Sequence, residues 1–240
     1  PKNAGTGKLV LTARNSYWLD YMYGKFNEKM GTYFNEFQKK QENVSAEKSM
    51  EWMLNQGIPL GIYVKNSSGW QLISYENVTG PLAKRELVVP IEFESSSESK
   101  ISIKLESGFM FWEIDCAGID FSENQPIQIS YLKPVQAVDE NGKNVTVDLQ
   151  NADKKYLLQS KIGSVTTVDF QASELETETT TTTVFLKNRG YYTYIRDYKG
   201  KPDFAELKTF REKGAFTRFS KASYFQYVSN PHMLDLIVEK

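Results

Sequence analysis

The sequence predicts an α+β protein that is mainly antiparallel β-structure, and three observations carry that expectation. Apolar residues recur at helical spacing in a block at about residues 16–56. From Ile58 the spacing changes to period two, in short runs separated by Gly, Pro and Ser clusters. Helical signals return after Pro202, where PDFAELKTFREKG begins.

The first run, GKLVLTARN, alternates Leu9, Leu11 and Ala13 against Val10, Thr12 and Arg14, as a half-buried strand does. Behind it, Trp18, Met22, Phe26 and Met30 recur at every fourth position from Ser16, with Gly31 as a stop. A second stripe is Tyr33, Phe34 and Phe37, and a third helix starts at the cap Ser45, buries Trp52 and Met53, and ends at Gly57 and Pro59. The strands LGIYVKN, WQLISYENV, ELVVPIEF and KISIKLES follow at the spacing of an antiparallel sandwich. Pro90 cannot donate a ladder hydrogen bond, so its strand is expected at an edge or a bulge. Further on, Asn141-Gly142 in DENGKNVTVDL reads as a hairpin turn in which both central residues accept positive φ. The later acidic ligands of a calcium loop are missing at that spacing. SVTTVDFQA and TTTVFLKN flank the acidic SELETE as strands of a second, smaller β unit, in which Thr179 to Thr183 suit a strand, an exposed edge or a loop. In the tail, Asp203 and Glu206 form a capping box, Phe204, Leu207 and Phe210 point inward, Gly214 closes the helix, and Ser220 caps another short one. Residues 1–135 are therefore expected to form the sandwich with its helical block, and 136–240 the smaller β unit with a helical tail.

Composition narrows the function. With 29 Lys and Arg against 30 Asp and Glu, there is no basic field to hold a phosphate backbone, and nucleic acid is not an expected partner. No apolar run approaches the roughly 18 residues of a membrane span, and PKNAGTGKL lacks the apolar stretch of a signal peptide, so any export signal or lipid anchor is expected before Pro1. One cysteine, Cys116, and one histidine, His232, leave no disulfide framework, cysteine-rich metal site or well-spaced triad; His232 reads as a surface residue. Neither cofactor nor metal is expected.

Catalysis has one pair of candidates. In GFMFWEIDCAGID, read as a strand, Glu113 and Asp115 share a face with Phe111, Ala117 and Ile119, while Trp112, Ile114, Cys116 and Gly118 form the buried face. Carboxylates at i and i+2 lie roughly 6 to 7 Å apart along a strand, between the spacings of retaining and inverting glycosidases. Glu113 would be the proton donor and Asp115 the nucleophile or base of a glycosidase or lyase. The plainer reading is a solvated strand face, with one carboxylate paired to a cation such as Arg14 or Arg85. Binding candidates are aromatic. Trp70 and Tyr75 in WQLISY suit stacking on sugar faces. In RGYYTYIRDYKGKP, read as a strand, Tyr192, Tyr194, Arg196 and Tyr198 share one face, suited either to a partner or to the C-terminal helices.

The runs GWQLISYENVTGPLAKRELVVPIEF and KISIKLESGFMFWEIDCAGIDF resemble the jelly roll of galactose-binding-like modules, in which a strand with a Trp-x-Ile-Asp pattern returns beside the first strand. NADKKYLLQ and VFLKNRGYY are similar to stretches of uncharacterised bacterial cell-envelope proteins carrying such a module. The resemblance implies an antiparallel jelly-roll β-sandwich and an extracytoplasmic role, on the periplasmic or cell-surface side of a bacterial envelope. It implies a noncatalytic binding or scaffold module with other envelope proteins as partners, and a glycan-binding module as the alternative. The helical block at about 16–56 departs from a minimal jelly roll, which leaves the standard ligand loops unassigned.

Overall fold

The computed structural model describes residues 5–94, 100–171 and 182–230. It is an α+β protein with antiparallel sheets, and the chain divides into two compact units, Pro1–Glu123 with Ile195–Lys240, and Asn124–Tyr194. The C-terminal helices thus belong with the N-terminal sheets.

Two three-stranded sheets make the body of the larger unit. The first has the order β4-β1-β6, built from β1 (Thr6–Asn15), β4 (Arg85–Glu92) and β6 (Trp112–Asp120); the second has the order β3-β2-β5, from β2 (Leu60–Asn66), β3 (Gly69–Glu76) and β5 (Ile103–Glu106). Leu9 and Leu11 of β1, Val89 and Ile91 of β4, and Leu60, Ile62 and Val64 of β2 meet in one buried cluster between the sheets. Pro90 sits on β4, an edge strand, where its missing N–H breaks no second ladder.

A bulge in each sheet resets the alternation. On β6 the partners of Thr12 and Ala13 are Cys116 and Ile114, so Asp115 is the extra residue. Trp112 and Ile119, seven positions apart, therefore both reach the sandwich core. This corrects the expected buried face: past the bulge Cys116 lies opposite Thr12, away from the core, and is exposed, and Ile114, opposite Ala13, is exposed as well. On β3 the partners of Ile62 and Tyr63 are Ser74 and Leu72, which leaves Ile73 as the extra residue.

Helices build a second core beside the sandwich. α1 (Tyr17–Glu28) is capped by Ser16, whose Oγ accepts the Leu19 amide; α2 (Phe34–Gln41) follows a single 3-10 turn at Gly31–Tyr33; α3 (Ala46–Asn55) is capped by Ser45. Leu19 and Met22 of α1 pack with Ile58, Phe111, Phe210 and Phe216. The last two belong to the tail, where α5 (Phe204–Thr209) is capped by Asp203 and α6 (Ala215–Val228) follows Gly214. Three expectations are corrected here. Gly214 opens α6 in a left-handed conformation (φ 73°) instead of closing the preceding helix. Ser220 lies inside α6, fully buried, donating to the Phe109 carbonyl and accepting from the Trp18 indole; helix packing across 202 residues uses its hydroxyl, so it is no cap. Phe204, expected to point inward, is half exposed against Tyr33.

The smaller unit pairs β7 (Pro134–Asp139) with β8 (Thr166–Phe170), with α4 (Thr146–Leu149) between them. In its Asp139–Lys143 turn only Gly142 takes a positive φ (78°), because the Asp139 carboxylate accepts the Asn141 and Lys143 amides and holds Asn141 in an ordinary conformation. Residues 182–199 form no strand, which corrects both the TTTVFLKN strand and the RGYYTYIRDY strand for their described residues. Thr179 to Thr181 and His232 lie outside the described residues. Among those residues no helix is long and apolar enough to cross a membrane.

Gln56 joins α3 to the tail and generates a test. Its side chain is 0% exposed and fully bonded: Nε2 donates to the carbonyls of Phe210 (3.1 Å) and Glu212 (3.0 Å), and Oε1 accepts the Phe216 amide at 2.8 Å. Gln56→Met keeps the volume and strands these three groups, so urea unfolding is expected to show a loss of about 2–4 kcal/mol. The exposed Gln71→Met should change stability by less than about 0.5 kcal/mol.

Candidate functional site

The outer face of the β3-β2-β5 sheet collects aromatic rings and charges. Cross-strand partners share a face, and the register places Trp70 opposite Lys65, Leu72 opposite Tyr63, and Tyr75 opposite Gly61. On the other side of β2, Lys104 lies opposite Tyr63 and Glu106 opposite Gly61, while the Lys65 amide donates to the Ser102 carbonyl at 3.0 Å. The nine positions form a grid roughly 10 Å across the strands and about 15 Å along β3. Trp70 is 46% exposed and Tyr75 37%.

Local chemistry arranges the rings. Trp70 and Tyr75 are five residues apart and would face opposite ways on a regular strand; the extra residue at Ile73 brings them to one side. Gly61 has no side chain, and the Tyr63 ring lies over it, 3.0 Å from where a Cβ would stand. The Lys104 ammonium sits 4.1 Å above the Tyr63 ring centre and 5.7 Å from that of Trp70, and is held by Glu106 at 2.5 Å. Cation–π attraction and the ion pair together fix the lysine between the two rings. The result is an exposed apolar strip of Trp70, Leu72 and Tyr75 with a charged border on β2 and β5.

Sequence reading named Trp70 and Tyr75 and missed the rest of the grid. Period two in LGIYVKN does place Tyr63 and Lys65 on one face, but nothing in the sequence gives the register that sets them beside Trp70 and Lys104.

The β6 carboxylates are each engaged by a different cation. Glu113 accepts from Arg14 Nε and pairs with its Nη2, both at 2.8 Å, and Arg14 also donates to the Pro81 carbonyl. Asp115, on the bulge, pairs with Lys84 at 2.9 Å. Both carboxylates are exposed, and on this solvated sheet they link β6 to its surroundings. The tyrosine stripe is not brought together. Tyr192 and Tyr194 belong to the smaller unit and are 92% and 60% exposed, whereas Arg196 and Tyr198 belong to the larger unit. Tyr198 packs edge-on against Phe34 at 4.9 Å, and burial raises the pKa of its hydroxyl. Phe210 and Phe216 pack on Phe26 rather than on these tyrosines. Among the described residues no cluster of His, Cys, Asp and Glu is arranged to hold a metal ion.

A third β6 carboxylate gives a pH test. Asp120 is held by the Lys8 ammonium at 2.8 Å and by the Ser122 amide and hydroxyl, which lower its pKa from 3.8 to about 2. A folded-state pKa below the unfolded one contributes stability that is complete above the unfolded value and is lost as pH falls through the folded value. Carboxyl NMR is expected to give a midpoint of about 2 for Asp120, moving up toward 3.8 in Lys8→Met. An ordinary midpoint in the unsubstituted chain would contradict the clamp.

Compared with family models, curated proteins and solved structures, the chain matches none of them.

Proposed function

We propose that this chain is a noncatalytic binding or scaffold module of a bacterial cell-envelope assembly, with a jelly-roll sandwich of the galactose-binding-like kind. The observation that carries the binding role is the exposed strip of Trp70, Leu72 and Tyr75 on one sheet face. Large rings at an interface bury much area for few rotamers lost, and their polar atoms still make directed bonds. The sandwich reading is supported by the path of the chain, which alternates between the two sheets from β3 to β6, and by the return of the Trp112–Asp115 strand beside β1. The extracytoplasmic setting rests on the sequence resemblance. The separate ion pairs of Glu113 and Asp115 favour a structural role over proton transfer.

A second reading is favoured by the border of the strip. Lys65, Ser102, Lys104 and Glu106 lie beside the rings at strand spacing, and a sugar offers the matching combination of an apolar C–H face and a rim of hydroxyls. The ligand would then be an envelope polysaccharide.

Crosslinked recovery from native membranes tests the first reading. The chain should bring down an envelope protein, and Trp70→Ala with Tyr75→Ala should lose it while the melting temperature stays within a few degrees, as surface substitutions do. Recovery of a free, unassociated chain counts against a binding role in assembly. Calorimetry with envelope polysaccharides decides the second reading: heat of binding that vanishes in the same double variant supports it, and uniform absence of heat removes it.

A further inference from the structure

Among the described residues, the smaller unit has one closed sheet edge and one that no strand pairs with. On β7, Ala137 directs both its backbone groups away from β8: its N–H donates to Thr146 Oγ1 at 2.8 Å, and its carbonyl accepts the Val145 amide at 2.9 Å. A bridge between Val138 and Asn144, and the Asp139 amide donating to the Lys143 carbonyl, extend this closure. Antiparallel partners either exchange both hydrogen bonds or turn both groups outward. Val168 lies opposite Ala137, and Thr166 opposite Asp139, so both turn their N–H and C=O to the far edge of β8. Among the described residues no strand pairs with that edge.

This unit also buries little. Pro134, Ala137 and Val145 are its buried apolar side chains among the described residues, while Val165 is 61% and Phe170 43% exposed at the two ends of β8. A two-stranded sheet is marginal alone, and an uncovered edge is a template for another strand.

We propose that the chain self-associates through β8, two copies pairing antiparallel about Val168 to form a continuous four-stranded sheet. The edge is complementary to itself. With Val168 on the two-fold axis, Thr166 falls opposite Phe170 of the second copy and Thr167 opposite Asp169, so no like charges meet. Thr166 and Val168 then have partners for their outward backbone groups. In this register each Asp169 carboxylate faces a neutral threonine, so a second copy takes up the outward hydrogen bonds without like-charge repulsion.

The exposed Thr167 allows a directional test in the whole chain, because its side chain lies opposite Asp169 only in the pair. Sedimentation velocity across micromolar to millimolar concentrations should show a monomer–dimer equilibrium. Thr167→Lys should tighten it and Thr167→Glu weaken it, each about tenfold at low salt, and both effects should fade at high salt. Val168→Pro removes an outward N–H without touching the β7 ladder, and should give a monomer with an unchanged circular dichroism spectrum. A monomer at every concentration overturns the proposal, as does a dimer indifferent to all three substitutions. Protection of the Thr166 and Val168 amides from exchange in a monomer also overturns it, since the chain would then cover its own edge.

Discussion

A glutamine side chain with no solvent contact has to find every hydrogen-bond partner inside the protein, and Gln56 finds them in one backbone turn. Phe210, Glu212 and Phe216 bracket the passage from α5 to α6, and the amide of Gln56 reads that passage through two carbonyls and one N–H. Trp52, one turn earlier on α3, donates to the same Phe210 carbonyl at 2.9 Å, and Thr217 donates to the Gln56 carbonyl at 2.7 Å. Low local dielectric makes each bond strong and each missing one costly, so the turn has one acceptable position. Phe210 and Phe216 are thereby inserted against Phe26 and Phe111, and the helical core closes around them. Sequence positions 154 and more apart are held by this single side chain.

The helical core transmits that position to the sandwich through residues 57–58 and 107–112. The Gly108 amide donates to the Gly57 carbonyl at 2.6 Å, and a Cβ on Gly108 would collide with the Phe111 ring and with Thr217 of α6. Trp112 donates to the Ile58 carbonyl at 2.9 Å and packs in both cores. Asn15 adds a second buried polar node, accepting the Thr79 and Gly80 amides on Oδ1, while the neighbouring Ser16 amide donates to the Phe111 carbonyl. The ends of β1, β2 and β6 and the loop after β3 are therefore tied to one another by polar contacts beside the helical core, and the two bulges occur within sheets whose ends are already anchored.

Local signals were legible in the sequence where one short stretch decides the structure. Ser16, Ser45 and Asp203 cap helices because their oxygens reach amides three residues on, a geometry independent of tertiary context. The strands of the two antiparallel sheets followed from period two, and the edge position of β4 agrees with Pro90. Bulges were not legible. Nothing in WEIDCAGID or WQLISYE marks Asp115 or Ile73 as an extra residue, since the bulge depends on the partner strand, and each one reverses every inside–outside assignment beyond it. Ser220 failed for a related reason: a hydroxyl that bonds a distant carbonyl and indole looks in sequence like one that caps its own helix. The exposed aromatic face of β3-β2-β5 combines both cases. Trp70 and Tyr75 were readable as aromatics in a strand, whereas Tyr63 and Lys104 enter only through register.

The proposed role makes the outer face of β3-β2-β5 a working contact surface. Hydroxyl-radical footprinting measures it directly, by comparing side-chain oxidation in the isolated chain with oxidation in the native envelope. Trp70, Leu72 and Tyr75 are expected to lose reactivity together in the envelope, while Ile114, exposed on the opposite sheet, keeps its own. Equal oxidation of the Trp70–Tyr75 strip in both settings would contradict it.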